Sequence, residues 1–343
     1  MPLYIVVKTL LFSESSRLQG EDVPSISGWL LIGLLAFSLL IGLASVAPAA
    51  MASAGEKTGI ELKPAIEVKP VILTSIKPLT MIATAVLGDQ VEIRQLLPDQ
   101  EIPHHYALRV SDRRLFDQNQ LVLWIGPELE TFMGALVAER EPRSVITAAE
   151  LNGIVWPEAV ERGRDYHLWL NPDNALLIAR NLVQRVGEFS GVNKAVLKAR
   201  LQKFEDEITT FKQTLSERLL PLKNNKFIVD HDAFRHFTET FGLHGAGYLR
   251  DSSGLEIGAR ARAKIMSHEG IRCVIAEPES RIDRLQDLAT KWKAKLAIID
   301  PLGAEVMLTR ETLPNEDSKR SSSAYIRMLS GVTQAFYHCL RGE

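Results

Sequence analysis

The sequence predicts an α/β protein in which two α/β lobes with parallel-type sheets are joined by a long rigid helix. Three observations predict it. Short β-rich runs alternate with longer helical patterns in two separate blocks, and strands separated by helices imply parallel crossovers. A helical pattern of unusual length, Val192 to about Leu219, lies between the blocks. The 343 residues, 46% of them hydrophobic, are enough for two buried cores.

In the first block, Val71 to Ser75 reads as a strand, Met81 to Leu87 as a helix, and Val91 to Leu97 as a strand with alternating faces. Ser111 to Gln118 is helical. Leu121 to Ile125 is a buried strand that ends at Gly126-Pro127. Asn171-Pro172-Asp173 starts the next helix, because Asn accepts from the first free backbone donors and Pro needs no partner at the first helical position. That helix carries Ala175 to Phe189. In the long pattern that follows, Leu197, Leu201, Phe204, Ile208, Phe211 and Leu215 recur at three- and four-residue steps, opposite a charged face.

The second block repeats the logic. Phe227 to Val229, Cys273 to Ala276 and Leu296 to Ile299 are strands, with helices at Ala233 to Phe241, Gly258 to Glu269, Arg281 to Trp292 and Ala324 to Cys339. Ligands of open parallel sheets bind beyond the carboxyl ends of strands, where His231 and Asp300 both fall. The implied division is a leader over 1–54, a flexible segment over 55–69, an amino-terminal lobe over 70–182, the linking helix region over 183–222 and a carboxy-terminal lobe over 223–343.

The leader has an uncharged apolar run from Trp29 to Val46, preceded by Lys8 and Arg17 and followed by small residues. This fits a secretory signal peptide; an uncleaved anchor, or a start downstream of Met1, are the alternatives. No cysteine stands at the end of the run, so a lipid-anchored amino terminus is not expected. The formal net charge of -2 offers no basic field for a phosphate backbone, which excludes nucleic acid as the expected partner. Cys273 and Cys339 are the two cysteines. In an exported chain an even count reads as one disulfide, against two buried thiols.

Three histidines sit in segments that suggest one metal site: Pro103-His104-His105-Tyr106, Asp165-Tyr166-His167-Leu168-Trp169 and Val229-Asp230-His231-Asp232. Neutral imidazoles suit zinc, and three of them with one oxygen complete its tetrahedron. Their separation makes the grouping depend on the fold. His105 reads as solvent-facing or loop-packing, with exchange of roles with His104 as the alternative. His236, His244, His268 and His338 read as core or surface. Glu277 reads as an acceptor near the cleft or as a packing residue, and Trp169 as core or as a wall of the site.

The order of motifs resembles the periplasmic zinc-binding proteins of high-affinity zinc ABC transporters, a branch of the metal-receptor family with a long backbone helix. The resemblance spans roughly residues 70 to 342. It rests on Leu96-Leu97-Pro98, His104-x-Tyr106-x-Leu108-Arg109-x-Ser111-Asp112 and Val122 through Glu130, then His167-Leu168-Trp169-Leu170-Asn171-Pro172, His231-Asp232-Ala233-Phe234, Phe241-Gly242-Leu243, Ala276-Glu277-Pro278 and Asp300-Pro301-Leu302-Gly303. By that resemblance His104, His167 and His231 are the family zinc histidines. Pro103 stands where some receptors carry a glutamate ligand, so Asp300 is the implied fourth ligand, with water as the alternative. His231, where a manganese-binding branch has glutamate, implies Zn2+ over manganese. The resemblance also implies the Cys273–Cys339 bridge.

The expected function is therefore a non-enzymatic, periplasmic receptor. It would be a monomer that captures Zn2+ between two lobes and delivers it to the membrane permease of an ABC transporter. A zinc-dependent hydrolase using a three-histidine site, and a periplasmic zinc chaperone or adhesin, are the competing expectations.

Overall fold

The computed structural model describes residues 69–158, 163–306 and 323–342. The leader expected over 1–54 lies outside the described residues, as does the 55–69 segment apart from Lys69. Among the described residues no helix is long and apolar enough to cross a membrane.

The first block forms strands β1 (Val71–Thr74), β2 (Glu92–Gln95), β3 (Leu121–Trp124) and β4 (Val145–Thr147), with helices α1 (Lys77–Leu87), α2 (Val110–Asp117) and α3 (Gly134–Ala138) between them. The strands pair in the order β2-β1-β3-β4, all in parallel. The central strands β1 and β3 are almost wholly buried, as expected for parallel strands covered on both faces. Helix α1 begins at Lys77, four residues before the apolar periodicity shows itself, with Pro78 in its first turn.

Helix α4 (Pro172–Val186) starts at the expected Asn171, whose side chain accepts from the Asp173 amide at 2.8 Å. Helix α5 (Lys194–Leu219) runs 26 residues, about 39 Å at the usual rise. Asn193 caps it by accepting from Ala195 and Val196. Its buried stripe is Leu197, Phe204, Ile208, Phe211, Leu215 and Leu219, and Leu201 is only partly buried.

The second block forms β5 (Lys226–His231), α6 (Arg235–Thr240), β6 (Gly245–Arg250), α7 (Ala259–Met266), β7 (Ile271–Ala276), α8 (Ile282–Trp292), β8 (Lys295–Ile298) and α9 (Ala324–Arg341). Its sheet has the order β6-β5-β7-β8, again parallel throughout. Each sheet therefore reverses direction beside its first strand, between β1 and β3 and between β5 and β7. A disulfide joins Cys273 of β7 to Cys339 of α9, with a Cα separation of 5.4 Å.

Three elements go beyond the sequence expectation. Strands β4 and β6 and helix α3 are short or compositionally poor. β6 is an edge strand opening Gly245-Ala246-Gly247, a sequence that argues against a strand. Both glycines are required by close approach. A Cβ at 245 would stand 3.2 Å from the Phe227 ring, and one at 247 would stand 3.0 Å from Ile265.

One hydrophobic cluster runs without interruption from the first sheet through α1, α4, α5 and α9 into the second, taking in Ile72, Met81, Trp169, Phe204, Phe227 and Phe336. Helix α9 packs against α1, α5 and β7. Tyr325 of α9 donates its hydroxyl to the Trp169 carbonyl at 2.6 Å inside this cluster.

Candidate metal centre

Each of the three histidines is delivered by a different carboxyl-end loop or strand end. His104 sits in a single helical turn, Pro103–His105, that follows β2 and is opened by Pro103. His167 precedes the turn Leu168–Leu170, which leads into the Asn171 cap of α4. His231 is the last residue of β5. Their ring centroids lie 5.0 to 5.3 Å apart, and one nitrogen from each falls within 4.8 Å of the others. Among the described residues this is the group of His, Cys, Asp or Glu able to hold a metal ion.

Carboxylates behind the rings fix which nitrogen faces inward. Asp165 Oδ1 accepts from the His167 backbone amide at 2.9 Å and from His167 Nδ1 at 2.6 Å. Glu277 Oε2 accepts from His231 Nδ1 at 2.9 Å. With Nδ1 carrying the proton, Nε2 of His167 and of His231 presents its lone pair to the centre. His104 Nε2 and His167 Nε2 stand 3.3 Å apart, and His231 Nε2 is buried without a hydrogen-bond partner. A tetrahedral zinc with bonds of about 2.0 to 2.1 Å sets adjacent nitrogens about 3.3 Å from one another. The enclosing cavity measures about 30 Å³, room for one small ion.

Electrostatics keep the rings neutral. Burial, with the neighbouring His167 and His231, pushes His104 down to about 2. Burial holds His167 well below the usual imidazole range and lowers His231 as well, with Arg250 adding to the latter. The supporting acids move the opposite way. Burial raises Asp165, and it raises Glu277 to about 7. Neutral imidazoles are the form that ligates a metal.

Asp300 lies two residues beyond β8 and lines the same cavity, but it is not part of the convergent group. Its Oδ1 accepts from the Leu302 amide at 2.8 Å and its Oδ2 from the Ala304 amide at 2.5 Å, which leaves each oxygen one free lone pair. Trp169 both packs and walls the site. It is fully buried, its ring centroid is 5.3 Å from that of His167, and its indole donates to the Pro301 carbonyl at 2.7 Å. His105 is exposed. His236 is buried in the core, where it bonds the Asp165 carbonyl at 2.8 Å. Asp165 escaped the sequence reading as a functional residue. Its signal was its place two residues before a candidate ligand, which lets one carboxylate bind both the amide and the ring of His167.

Known proteins resemble the chain in sequence and in fold. The model of the family described as ZnuA, zinc-uptake complex component A, periplasmic, matches residues 72–339. The high-affinity zinc uptake system protein ZnuA of Yersinia pestis is 26% identical over 302 residues, covering 79% of this chain and 91% of that protein. Its counterpart in Paracoccus denitrificans is 26% identical over 331 residues, covering 83% and 96%. Among solved structures, a crystal structure of ZnuA aligns with a TM-score of 0.66 at 22% identity, covering 79% of this chain and 99% of the other. The periplasmic zinc-binding protein TroA of Treponema pallidum aligns with the same TM-score at 17% identity, covering 79% and 99%.

Proposed function

The chain belongs to the ZnuA family of periplasmic zinc-uptake components, and from that premise we propose how its own residues hold the ion. Zn2+ is the cargo of a receptor for high-affinity zinc uptake. His104, His167 and His231 bind it through Nε2, and Asp300 supplies the fourth donor through a free lone pair. The convergence of three Nε2 atoms around a cavity of single-ion size carries the reading. Three nitrogens and one oxygen suit zinc better than manganese, which favours oxygen-rich sets.

The role is capture and hand-over rather than catalysis. Asp165 and Glu277 are engaged with imidazoles, and Asp300, which the backbone amides of Leu302 and Ala304 orient, is assigned to the ion as a ligand rather than to a water as a base. The receiving partner is the membrane permease of a zinc ABC transporter, and the chain works in the periplasm as a monomer. The mechanical units are 70–182 and 223–343, bridged by 183–222.

Metal content and X-ray absorption of the purified chain test the ligand set. We expect about one zinc per chain with three nitrogens and one oxygen in its shell. His231→Ala loses most of the affinity, and a zinc-loaded His231→Ala protein of parental affinity overturns the assignment. Asp300→Ala weakens binding if the carboxylate ligates and leaves it near parental if water does.

A further inference from the structure

On the face of the second sheet turned away from the imidazoles stands a polar cluster outside the ligand set. Side chains alternate along a strand, so His231 shares one face of β5 with Phe227 and Val229, while Asp230 shares the other with Ile228. The two neighbours stand back to back.

Asp230 Oδ2 accepts from Ser280 Oγ at 2.7 Å and from Arg250 Nη2 at 2.7 Å. The Ser280 hydroxyl accepts in turn from the Glu277 amide at 2.9 Å, and the Ser280 amide donates to the Glu277 carbonyl at 3.0 Å. These bonds tie three strand ends together: β5 through Asp230, β6 through its last residue Arg250, and β7 through Glu277, the first residue beyond it. Arg250 Nη2 stands 4.0 Å from Glu277 Oε2, beyond hydrogen-bonding reach. Drawn to Asp230, the guanidinium leaves that oxygen to His231 Nδ1 at 2.9 Å. Close packing does not fix these ends, because Asp230, Arg250 and Ser280 all border a cavity of about 160 Å³. Hydrogen bonds have to.

We propose that Ser280 and Asp230 are positioning residues for zinc binding. Their hydroxyl-to-carboxylate bond sets the spacing between the ends of β5 and β7, and with it the alignment of the Glu277 carboxylate behind the His231 ring. Neither side chain is a ligand. The role presupposes the zinc-receptor reading of the three-histidine cavity and adds to it a support that acts only through Glu277. A carboxylate out of line orients its imidazole less firmly, and the loss appears as weaker metal binding.

The test is a double-mutant cycle in zinc affinity, measured by chelator competition on the full chain for the parent, Ser280→Ala, Glu277→Gln and the pair. Ser280→Ala is expected to raise Kd about threefold or more, less than the loss of Glu277 itself, and the pair is expected to bind as Glu277→Gln does alone. Ser280→Thr restores the hydroxyl, with the cavity to take its methyl group, and is expected to return Kd to the parental value. Parental affinity in Ser280→Ala overturns the proposal. So does a Ser280→Ala effect that persists in full on the Glu277→Gln background, because the hydroxyl then acts on the fold at large. Asp230→Ala, taken through the same cycle, reads the bond from its other end and has to show the same dependence on Glu277. A parent chain that takes up no zinc at all would instead refute the receptor reading.

Discussion

Two of the three inward-facing nitrogens, those of His167 and His231, owe their lone pairs to an acid on the far side of the ring. Asp165→Asn and Glu277→Gln remove that charge without removing a ligand, and each is expected to weaken zinc binding about ten- to hundredfold in chelator competition. Parental affinity in both would show that the tautomers are set otherwise. Acid sensitivity follows from the same rings. Folded His104 stays neutral down to about 2, while an imidazole in the unfolded chain takes its proton near 6.5. Below 6.5 the unfolded state binds a proton that the native state refuses, so metal-free stability falls with pH on this residue's account. Glu277 works in the opposite sense. Its raised value of about 7 lets the folded carboxyl gain a proton before the unfolded one, which titrates near 4.5. The discriminating measurement is thus the difference between proteins: His104→Asn should show a smaller loss of melting temperature from about pH 7 to about pH 5 than its parent. Equal slopes would refute it. The histidines were legible in the sequence because their neighbours formed motifs. Asp165 was not, because its role depends on a bend that brings its carboxylate under the ring two residues on.

Among the elements, the segment from Asp300 to Ala304 is held by several neighbours at once. Lys77 of α1 donates to the Ala304 carbonyl at 2.5 Å and to Asp99 at 2.6 Å, while Trp169 holds Pro301. Gly303 has φ +66°, and a Cβ there would stand 2.8 Å from Met328 of α9 and 3.0 Å from Met81 of α1. Gly303→Ala is therefore expected to cost about 1 to 3 kcal/mol in chemical unfolding and to weaken zinc binding by displacing Asp300. A variant as stable and as tight as the parent would show that the segment shifts freely. The long amphipathic helices and buried strands were readable because their periodicity is strong. β4 and β6 were not, since three residues give no period and the glycines of β6 are dictated by Phe227 and Ile265, residues remote in sequence. The early start of α1 was hidden because Lys77 and Pro78 are polar or rigid rather than apolar, yet both are buried.

At the scale of the molecule, among the described residues one buried cluster from Ile72 to Leu340, taking in residues of α5 and α9, joins the two sheets. Zinc loading is accordingly expected to leave the radius of gyration unchanged in small-angle scattering. A contraction of several ångströms, as wide hinge closure produces, would contradict this. Two parallel sheets and a spanning helix were evident from the alternation of patterns, but the shared core was not, because hydrophobic spacing reports which face is buried and not what it is buried against.

The Lys77 clip sets how such a molecule lets go. If Asp300 is the oxygen donor proposed above, drawing the Asp300–Ala304 strap away from α1 would loosen that donor and one wall of the cage at a stroke, and leave the histidine scaffold standing for the next ion.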